Sequence, residues 1–186
     1  MAILLNLSDF IGGEYDLPDA TGMYTDDNVQ AAIDKYEKPA IYNLLGVALG
    51  DLIIAYIQAS SPPVNADYDK IINGFAEDNQ YYTIYNTLCG DYNSVIINAG
   101  LKEWLKAVVF YEYVKISLVT SQPGVTQPEA ETGQIQKVTS TMRFAENKFN
   151  QMLDTAYAIQ WYCVNNKTNL PDYNGQRITV KASNIF

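Results

Sequence analysis

Apolar residues recur at intervals of three and four over three long segments of this sequence, and this periodicity constrains the fold more than any other feature. The first segment begins near Thr25, the second near Ser94 and the third near Ser140. The stripe of the first segment consists of Val29, Ala32, Ile33, Tyr36, Ala40, Ile41, Leu44 and Leu45. One apolar face per segment is typical of amphipathic helices that pack on one another. The sequence therefore predicts a mainly α-helical protein, a bundle of three long helices.

Proline and polar residues suggest where these helices bend and end. The first helix is expected to continue to about Ala59, with a kink or a restart at Pro39, because proline disrupts a helix interior. Glu37 is placed off the apolar stripe. Residues 60–93 predict turns and one or two short helices.

Two polar segments have no helical periodicity. Residues 121–139 contain two Pro and two Gly, which predicts an extended, projecting loop between the second and third helices. After a turn at 173–175, the alternating run 177–181 predicts a strand or an arm. We therefore expect residues 1–170 to form one helical domain and residues 171–186 to form a C-terminal arm.

The composition excludes several classes of protein. The 186 residues include no histidine, which excludes histidine-based catalytic triads and histidine-containing metal sites. The net charge is −9, and Arg143 and Arg177 are the only arginines, which argues against a protein that grips nucleic acid through phosphates. No nucleotide-binding motif occurs, and Asp67 and Asp69 lack the glycine and glutamate of a calcium loop. The sequence therefore predicts no cofactor and no metal.

Cysteine usage and hydropathy bear on the cellular compartment. Cys89 and Cys163 share no short spacing, which favours free thiols in a reducing compartment. The N-terminal residues lack the basic stretch of a signal peptide, and no apolar run approaches the roughly 18 residues that suggest a membrane span. We therefore expect a soluble protein that folds in the cytoplasm and contacts no membrane.

Glu112 is the charged residue whose position most suggests a specific role. It lies in the otherwise apolar stretch 107–114, where an unpaired carboxylate would carry a large desolvation cost. Arg143, in the first turn of the third predicted helix, is the expected partner in a structural Glu112–Arg143 pair. The alternatives are hydrogen bonds from tyrosine hydroxyls, or a carboxylate that reaches solvent at the helix edge.

Three sequence blocks resemble a known protein family in their content and order. They are DFIGGEYDLPDATGMYTDDNVQAAIDKYEKPAIYNLLG, GLKEWLKAVVFYEYVK and FNQMLDTAYAIQWYCVNN. Together they resemble head-to-tail connector proteins of tailed bacteriophages, and the similarity is greatest to those of crAss-like phages. The resemblance covers the three helical blocks, which together are about two fifths of the chain.

The resemblance implies a non-enzymatic virion protein that is assembled in the host cytoplasm. Such a subunit forms a ring, usually twelve-fold, below the portal, links capsid to tail in the neck and lines the DNA conduit. The implied partners are sister copies, the portal protein and other neck or tail ring proteins, while DNA passes without sequence-specific binding. An acidic subunit suits this conduit because negative walls repel phosphates.

A closed ring requires contact between two different surfaces of each subunit. The loop and the arm are the segments expected to reach sister copies or the portal. The expected contact residues are Pro123, Gly124, Val125, Thr126, Gln127, Ile178, Val180 and Phe186.

Two other functions stay open from the sequence. One is a monomeric helical module that binds a protein partner in a groove between helices. The other is a histidine-free enzyme centred on Glu112 and a tyrosine hydroxyl, which requires a concave pocket holding both groups.

Overall fold

A computed structural model describes residues 3–17, 27–78, 95–120 and 132–175, and it confirms the prediction of a mainly helical protein. Two short 3-10 helices, Leu7–Phe10 and Gly13–Tyr15, come first in the chain. The remaining elements are α1 (Asp27–Leu45), α2 (Val47–Gln58), α3 (Ala66–Asn73), β1 (Phe75–Asp78), β2 (Val95–Asn98), α4 (Leu101–Thr120) and α5 (Thr132–Asn165). Within these four ranges, none of the helices has the length and hydropathy required to cross a bilayer.

The first predicted helix is in fact two helices, and the break between them lies at Gly46 rather than at Pro39. Helix α1 continues through Pro39. Both Pro39 and Lys35, whose carbonyl loses its helical donor, are exposed, so water is available to that carbonyl. Gly46 instead has φ 83° and ψ 163°, a conformation that is open almost only to glycine. Helix α2 therefore restarts at Val47.

A two-stranded antiparallel sheet occupies positions where the sequence predicted turns and the start of a helix. The paired residues are Phe75 with Asn98, Ala76 with Ile97, Glu77 with Ile96, and Asp78 with Val95. The second long helix thus begins at Leu101 and not near Ser94. A short run of β-branched residues such as 95–97 suits a strand as well as a buried helix, so periodicity alone could not decide between them.

Helix α5 begins earlier than the sequence predicted. Residues 132–139, which were expected to belong to the projecting loop, are helical. Their polarity suggests a loop, but Gln and Lys are good helix formers. Residues 121–131 lie outside the described part of the chain, and they include the expected contact residues Pro123, Gly124, Val125, Thr126 and Gln127.

The chain divides into two compact units, whereas the sequence predicted one domain over residues 1–170. Unit 1 comprises Met1–Ile41 and Leu105–Met152, and unit 2 comprises Tyr42–Trp104 and Leu153–Phe186. Each unit therefore combines an early and a late part of the sequence.

The core of unit 1 is formed by α1, α4 and the first part of α5 together with the N-terminal segment. Its fully buried side chains include Phe10, Val29, Ile33, Ile41, Leu105, Val109 and Ala145. Tyr15 packs edge-on against Phe110 with ring centroids 5.7 Å apart, and Phe110 packs edge-on against Phe144 at 6.0 Å. These ring contacts connect the second 3-10 helix with α4 and α5.

The core of unit 2 contains residues from the end of α1, from α2 and α3, from the start of α4 and from the second part of α5. Its fully buried side chains include Leu44, Leu45, Ile53, Ile71, Leu101, Ile159 and Cys163. Trp104 is also buried in this unit. Phe75 of β1 packs on Tyr162 of α5 with ring centroids 4.9 Å apart, so the sheet is attached to the helical core.

Candidate functional site

The Glu112 carboxylate has a different partner from the one predicted. Its ion pair is with Lys115, one turn further along α4, where Nζ lies 3.7 Å from Oε2. Within the described residues, no ion pair joins Glu112 to Arg143, and Arg143 is exposed. The Glu112 side chain is 26% exposed, so this residue lies at the edge of α4 rather than in a dry core. The predicted Glu112–Arg143 pair is therefore wrong, because the helix edge supplies both solvent and a nearby lysine.

A different glutamate, Glu37 of α1, is deeply buried in unit 1. The apolar pattern predicts that Glu37 lies off the stripe, but this residue is only 1% exposed. Oε2 accepts the N–H of Ile3 at 2.7 Å, and Oε1 accepts those of Leu4 and Leu5 at 2.7 and 2.8 Å. Glu37 thus anchors the N-terminal segment, and its hydrogen bonds satisfy a charge that would otherwise be costly to bury.

The spacing of Glu37 was a signal that sequence analysis missed. Glu37 lies four residues after Ile33 and four before Ile41, and both isoleucines are fully buried. Positions four apart share a helix face, so these two neighbours already place Glu37 on the inner side of α1.

An exposed aromatic ring, that of Phe144, lies on α5 in unit 1. The Phe144 residue is 47% exposed although its ring contacts Phe110. Lys148 Nζ lies 5.7 Å from the centroid of the Phe144 ring and makes a 2.7 Å ion pair with Glu14. Exposed aromatic rings are enriched at protein interfaces, whose rims are polar.

The two aspartates of α3 whose spacing is weakly similar to a calcium loop have structural partners. The hydroxyl of Tyr162 donates to Asp67, and the hydroxyl of Tyr56 donates to Asp69 at 2.9 Å. The hydrogen bond to Asp69 raises the pKa of Tyr56 above its ordinary value. The carboxylates therefore attach α3 to α5 and to α2.

No group of three or more acidic or thiol side chains that could hold a metal ion occurs in the part of the chain that the structure describes. The Cys163 thiol is fully buried, and burial raises its pKa to about 12, with a further contribution from the charge of Asp67. Burial also raises the pKa of Tyr173 to about 12. Both groups hold their protons at neutral pH, so Cys163 lacks the thiolate character of a nucleophile.

An exposed apolar surface runs along α2 in unit 2. We call it the α2 face, and its members are Val47, Ala48, Asp51, Leu52, Ala55 and Gln58. Val47 is 60% exposed and Leu52 is 42% exposed, although α2 carries a single charged residue, Asp51. The hydroxyl of Tyr42 donates a hydrogen bond to the Asp51 carboxylate. Helix α2 thus presents apolar side chains both to the core and to the surface. The periodicity of the sequence does not distinguish its buried apolar residues from its exposed ones.

The base of the predicted C-terminal arm is packed on unit 2. The Asn174 N–H donates to the Leu45 carbonyl at 3.3 Å, and Gln160 Nε2 donates to the Leu44 carbonyl at 3.2 Å. A Cβ atom added at Gly175 would lie 2.1 Å from the Leu44 oxygen, so this approach requires glycine. The expected contact residues Ile178, Val180 and Phe186 lie outside the described residues, as does Cys89.

Comparison of the chain with protein-family models, with curated protein sequences and with solved structures finds no match in any of the three.

Proposed function

We propose that this protein is a structural subunit of the neck of a tailed bacteriophage. In this proposal it forms a closed ring below the portal, links the capsid to the tail and surrounds the path of the DNA without catalysing a reaction. Its partners are sister copies, the portal protein and other neck or tail ring proteins. The finer architecture of the proposal is a bundle of three long helices with projecting segments that reach neighbouring chains.

The observation that carries the proposal is the position of the three connector-like blocks. They coincide with the 3-10 helices and α1, with α4, and with the second half of α5. These elements supply fully buried residues to both units, including Phe10, Ile33, Leu44, Leu101, Leu105 and Ile159. A resemblance in core-forming helices supports a shared scaffold more strongly than one in surface loops, because core positions determine how helices pack.

Exposed apolar side chains give the proposal a second support. In unit 1 they include Ile11 and Phe144, and in unit 2 they include Val64, which is 90% exposed, and Val164. A ring subunit meets one neighbour through one surface and the other neighbour through a different surface. Apolar side chains on both units suit such contacts.

The charge of the chain supports the role in the DNA path. A net charge of −9 gives the assembled ring a strongly negative potential, which repels duplex phosphates and lets DNA pass without binding. We expect Asp and Glu to outnumber Lys among the residues that face the channel.

Electron microscopy and mass photometry of the purified full chain, alone and mixed with the portal protein of a phage that encodes it, test the proposal. The expected result is a closed ring with a channel wide enough for duplex DNA. Phe144→Ser is expected to weaken assembly at least tenfold while helix content is preserved, and Asn147→Ser, at an exposed position on the same helix, is the matched control. A chain that stays monomeric in both conditions overturns the proposal, and one-to-one peptide binding by that monomer would favour the helical binding module.

A further inference from the structure

We propose that the α2 face is the docking surface for residues 176–186 of the same chain in the free subunit. The inference goes beyond the ring proposed above, because it concerns what covers apolar surface before any partner is bound. It follows from where the chain leaves unit 2, how far the following residues reach and which chemistry they carry.

The chain leaves the described part of unit 2 beside the first turn of α2. Gly175 lies against the Leu44 carbonyl, and a Cβ atom added at Gly46 would lie 2.7 Å from the Asn174 carbonyl carbon. Gly46 is the residue immediately before Val47, the first member of the α2 face. Residue 176 therefore starts next to one end of the proposed docking surface.

The length of the segment is sufficient to cover the surface. The 11 residues that follow Gly175 span up to about 36 Å when extended. Helix α2 has 12 residues, which corresponds to an axial length of about 18 Å. The segment can therefore follow α2 from end to end without leaving its anchor.

The chemistry of the segment complements the α2 face. Arg177 and Lys181 are its only charged side chains, so it is basic in a protein whose net charge is −9. Asp51, the single charge of α2, is acidic and exposed. The apolar residues Ile178 and Val180 alternate with polar ones, which gives an extended segment one apolar side.

The spacing of the apolar residues also matches. Side chains two residues apart on an extended segment are separated by about 6.7 Å. Ala48 and Leu52 lie four residues apart on α2, which corresponds to about 6 Å along the helix axis. Ile178 and Val180 can therefore contact successive turns of the α2 face.

Tethering favours the segment of the same chain over that of a second copy. A short linker gives a tethered group an effective concentration on the order of millimolar. When the subunit is at micromolar concentration, the same segment of a second copy is present at a roughly thousandfold lower concentration. In the free subunit the intramolecular contact therefore prevails.

A cysteine pair tests this contact in the full chain. In a Cys89→Ser background, Leu52→Cys combined with Val180→Cys is oxidised at low micromolar concentration, and the disulfide is identified by mass spectrometry. The matched control combines Val180→Cys with Val64→Cys, since Val64 is exposed but lies outside the α2 face. We expect the intramolecular disulfide of the first pair to form at least tenfold faster than that of the control.

Equal rates for the two pairs would overturn the inference. A disulfide that joins isotopically light and heavy chains in a mixed sample would also overturn it, because the occupant would then be a second copy. If the chain forms a ring but the intramolecular disulfide does not form, this inference alone is overturned. If the disulfide forms but the chain never assembles into a ring, only the proposed function is overturned.

Binding of a fluorescent hydrophobic dye provides a second measurement on the full chain. Ile178→Asn with Val180→Asn should uncover the α2 face and raise dye fluorescence at least twofold. Thr179→Asn is the matched control, since it lies on the other side of the alternating run. Fluorescence that rises equally in the control, or in neither variant, contradicts docking on the α2 face.

Discussion

The Glu37 carboxylate accepts the backbone N–H of Leu5 at 2.8 Å, and through this bond α1 holds the N-terminal segment. The same carboxylate accepts the N–H groups of Ile3 and Leu4. Three consecutive donors therefore converge on one buried side chain. Because the acceptor is a carboxylate, these bonds belong to the stronger class of hydrogen bonds in proteins.

Replacing Glu37 by glutamine is expected to destabilise the protein although size and shape are nearly preserved. The amide keeps one acceptor oxygen but places an N–H₂ group against a backbone N–H. We expect Glu37→Gln to lower the free energy of unfolding by about 2 kcal/mol, as measured by urea titration. Glu37→Ala should lower this free energy further. Asp154→Asn, which removes an exposed charge from α5, should change it by less than about 0.5 kcal/mol. A Glu37→Gln variant as stable as Asp154→Asn would contradict the anchoring role.

Gly46 and Gly12 provide a matched pair for separating backbone strain from a close approach. Both have positive φ, 83° and 73°, with ψ of 163° and 168°. A Cβ atom at Gly12 meets nothing within 4 Å, whereas one at Gly46 lies 2.7 Å from the carbonyl carbon of Asn174. Gly12→Ala should therefore lose about 1 to 3 kcal/mol through strain alone, and Gly46→Ala about 2 kcal/mol more through overpacking. Thermal unfolding measures the loss of stability in both variants. Equal losses would show that the close approach of Asn174 to Gly46 adds nothing to the cost of a side chain at Gly46.

The hydrogen bond from Tyr162 to Asp67 is expected to stabilise the attachment of α3 to α5. Tyr162→Phe removes the hydroxyl but keeps the ring that packs on Phe75. We expect a loss of about 1 to 2 kcal/mol, because the Asp67 carboxylate loses a donor in a partly buried position. Tyr36→Phe, at a partly exposed position on α1, is the control and should fall within about 0.5 kcal/mol of the parent protein.

The Cys163 thiol should resist modification while the protein is folded. A pKa of about 12, against an ordinary value of 9.0, reduces its thiolate fraction at pH 8 by about a thousandfold. In a Cys89→Ser background, a thiol reagent is expected to label Cys163 at this reduced rate in buffer and rapidly in urea. Labelling in buffer at the rate of an unfolded cysteine would contradict the burial of this side chain.

The raised pKa of Cys163 also predicts the direction of a pH effect on stability. The folded state holds this proton more tightly than the unfolded state, so the stabilisation is complete below pH 9. It is lost as the pH rises from about 9 toward 12. Urea midpoints measured across this range should fall, and the fall should be smaller for Cys163→Ala. A parent protein whose midpoint is constant between pH 9 and 11 would contradict the prediction.

The helical content of this protein was predictable because local periodicity produces it. The stripe that begins at Val29 predicted α1, and the apolar run 107–114 predicted the middle of α4. The break at Gly46 was not predictable in the same way. It depends on the approach of Asn174, a residue far along the chain, and Pro39 was the stronger local signal for a break.

The two-stranded sheet and the partners of Glu112 and Glu37 were not predicted, for a related reason. Strand β2 exists because it pairs with β1, which is separated from it in sequence, and a short apolar run carries no trace of that pairing. The sequence suggests the distant Arg143 as the partner of Glu112, although Lys115 lies one turn away on the same helix. For Glu37 the necessary signal was present, since Ile33 and Ile41 flank it at helical spacing.

The division of the chain into two units has a consequence for synthesis on the ribosome. Unit 1 cannot be completed before Met152 has been made, and unit 2 also needs residues after Leu153. The nascent protein therefore exposes α1, α2 and α4 before the helix that covers them emerges, and exposed apolar surface of this kind favours aggregation and chaperone binding. Premature termination within α5 would leave both units open, so the folding of each unit depends on the synthesis of this one helix.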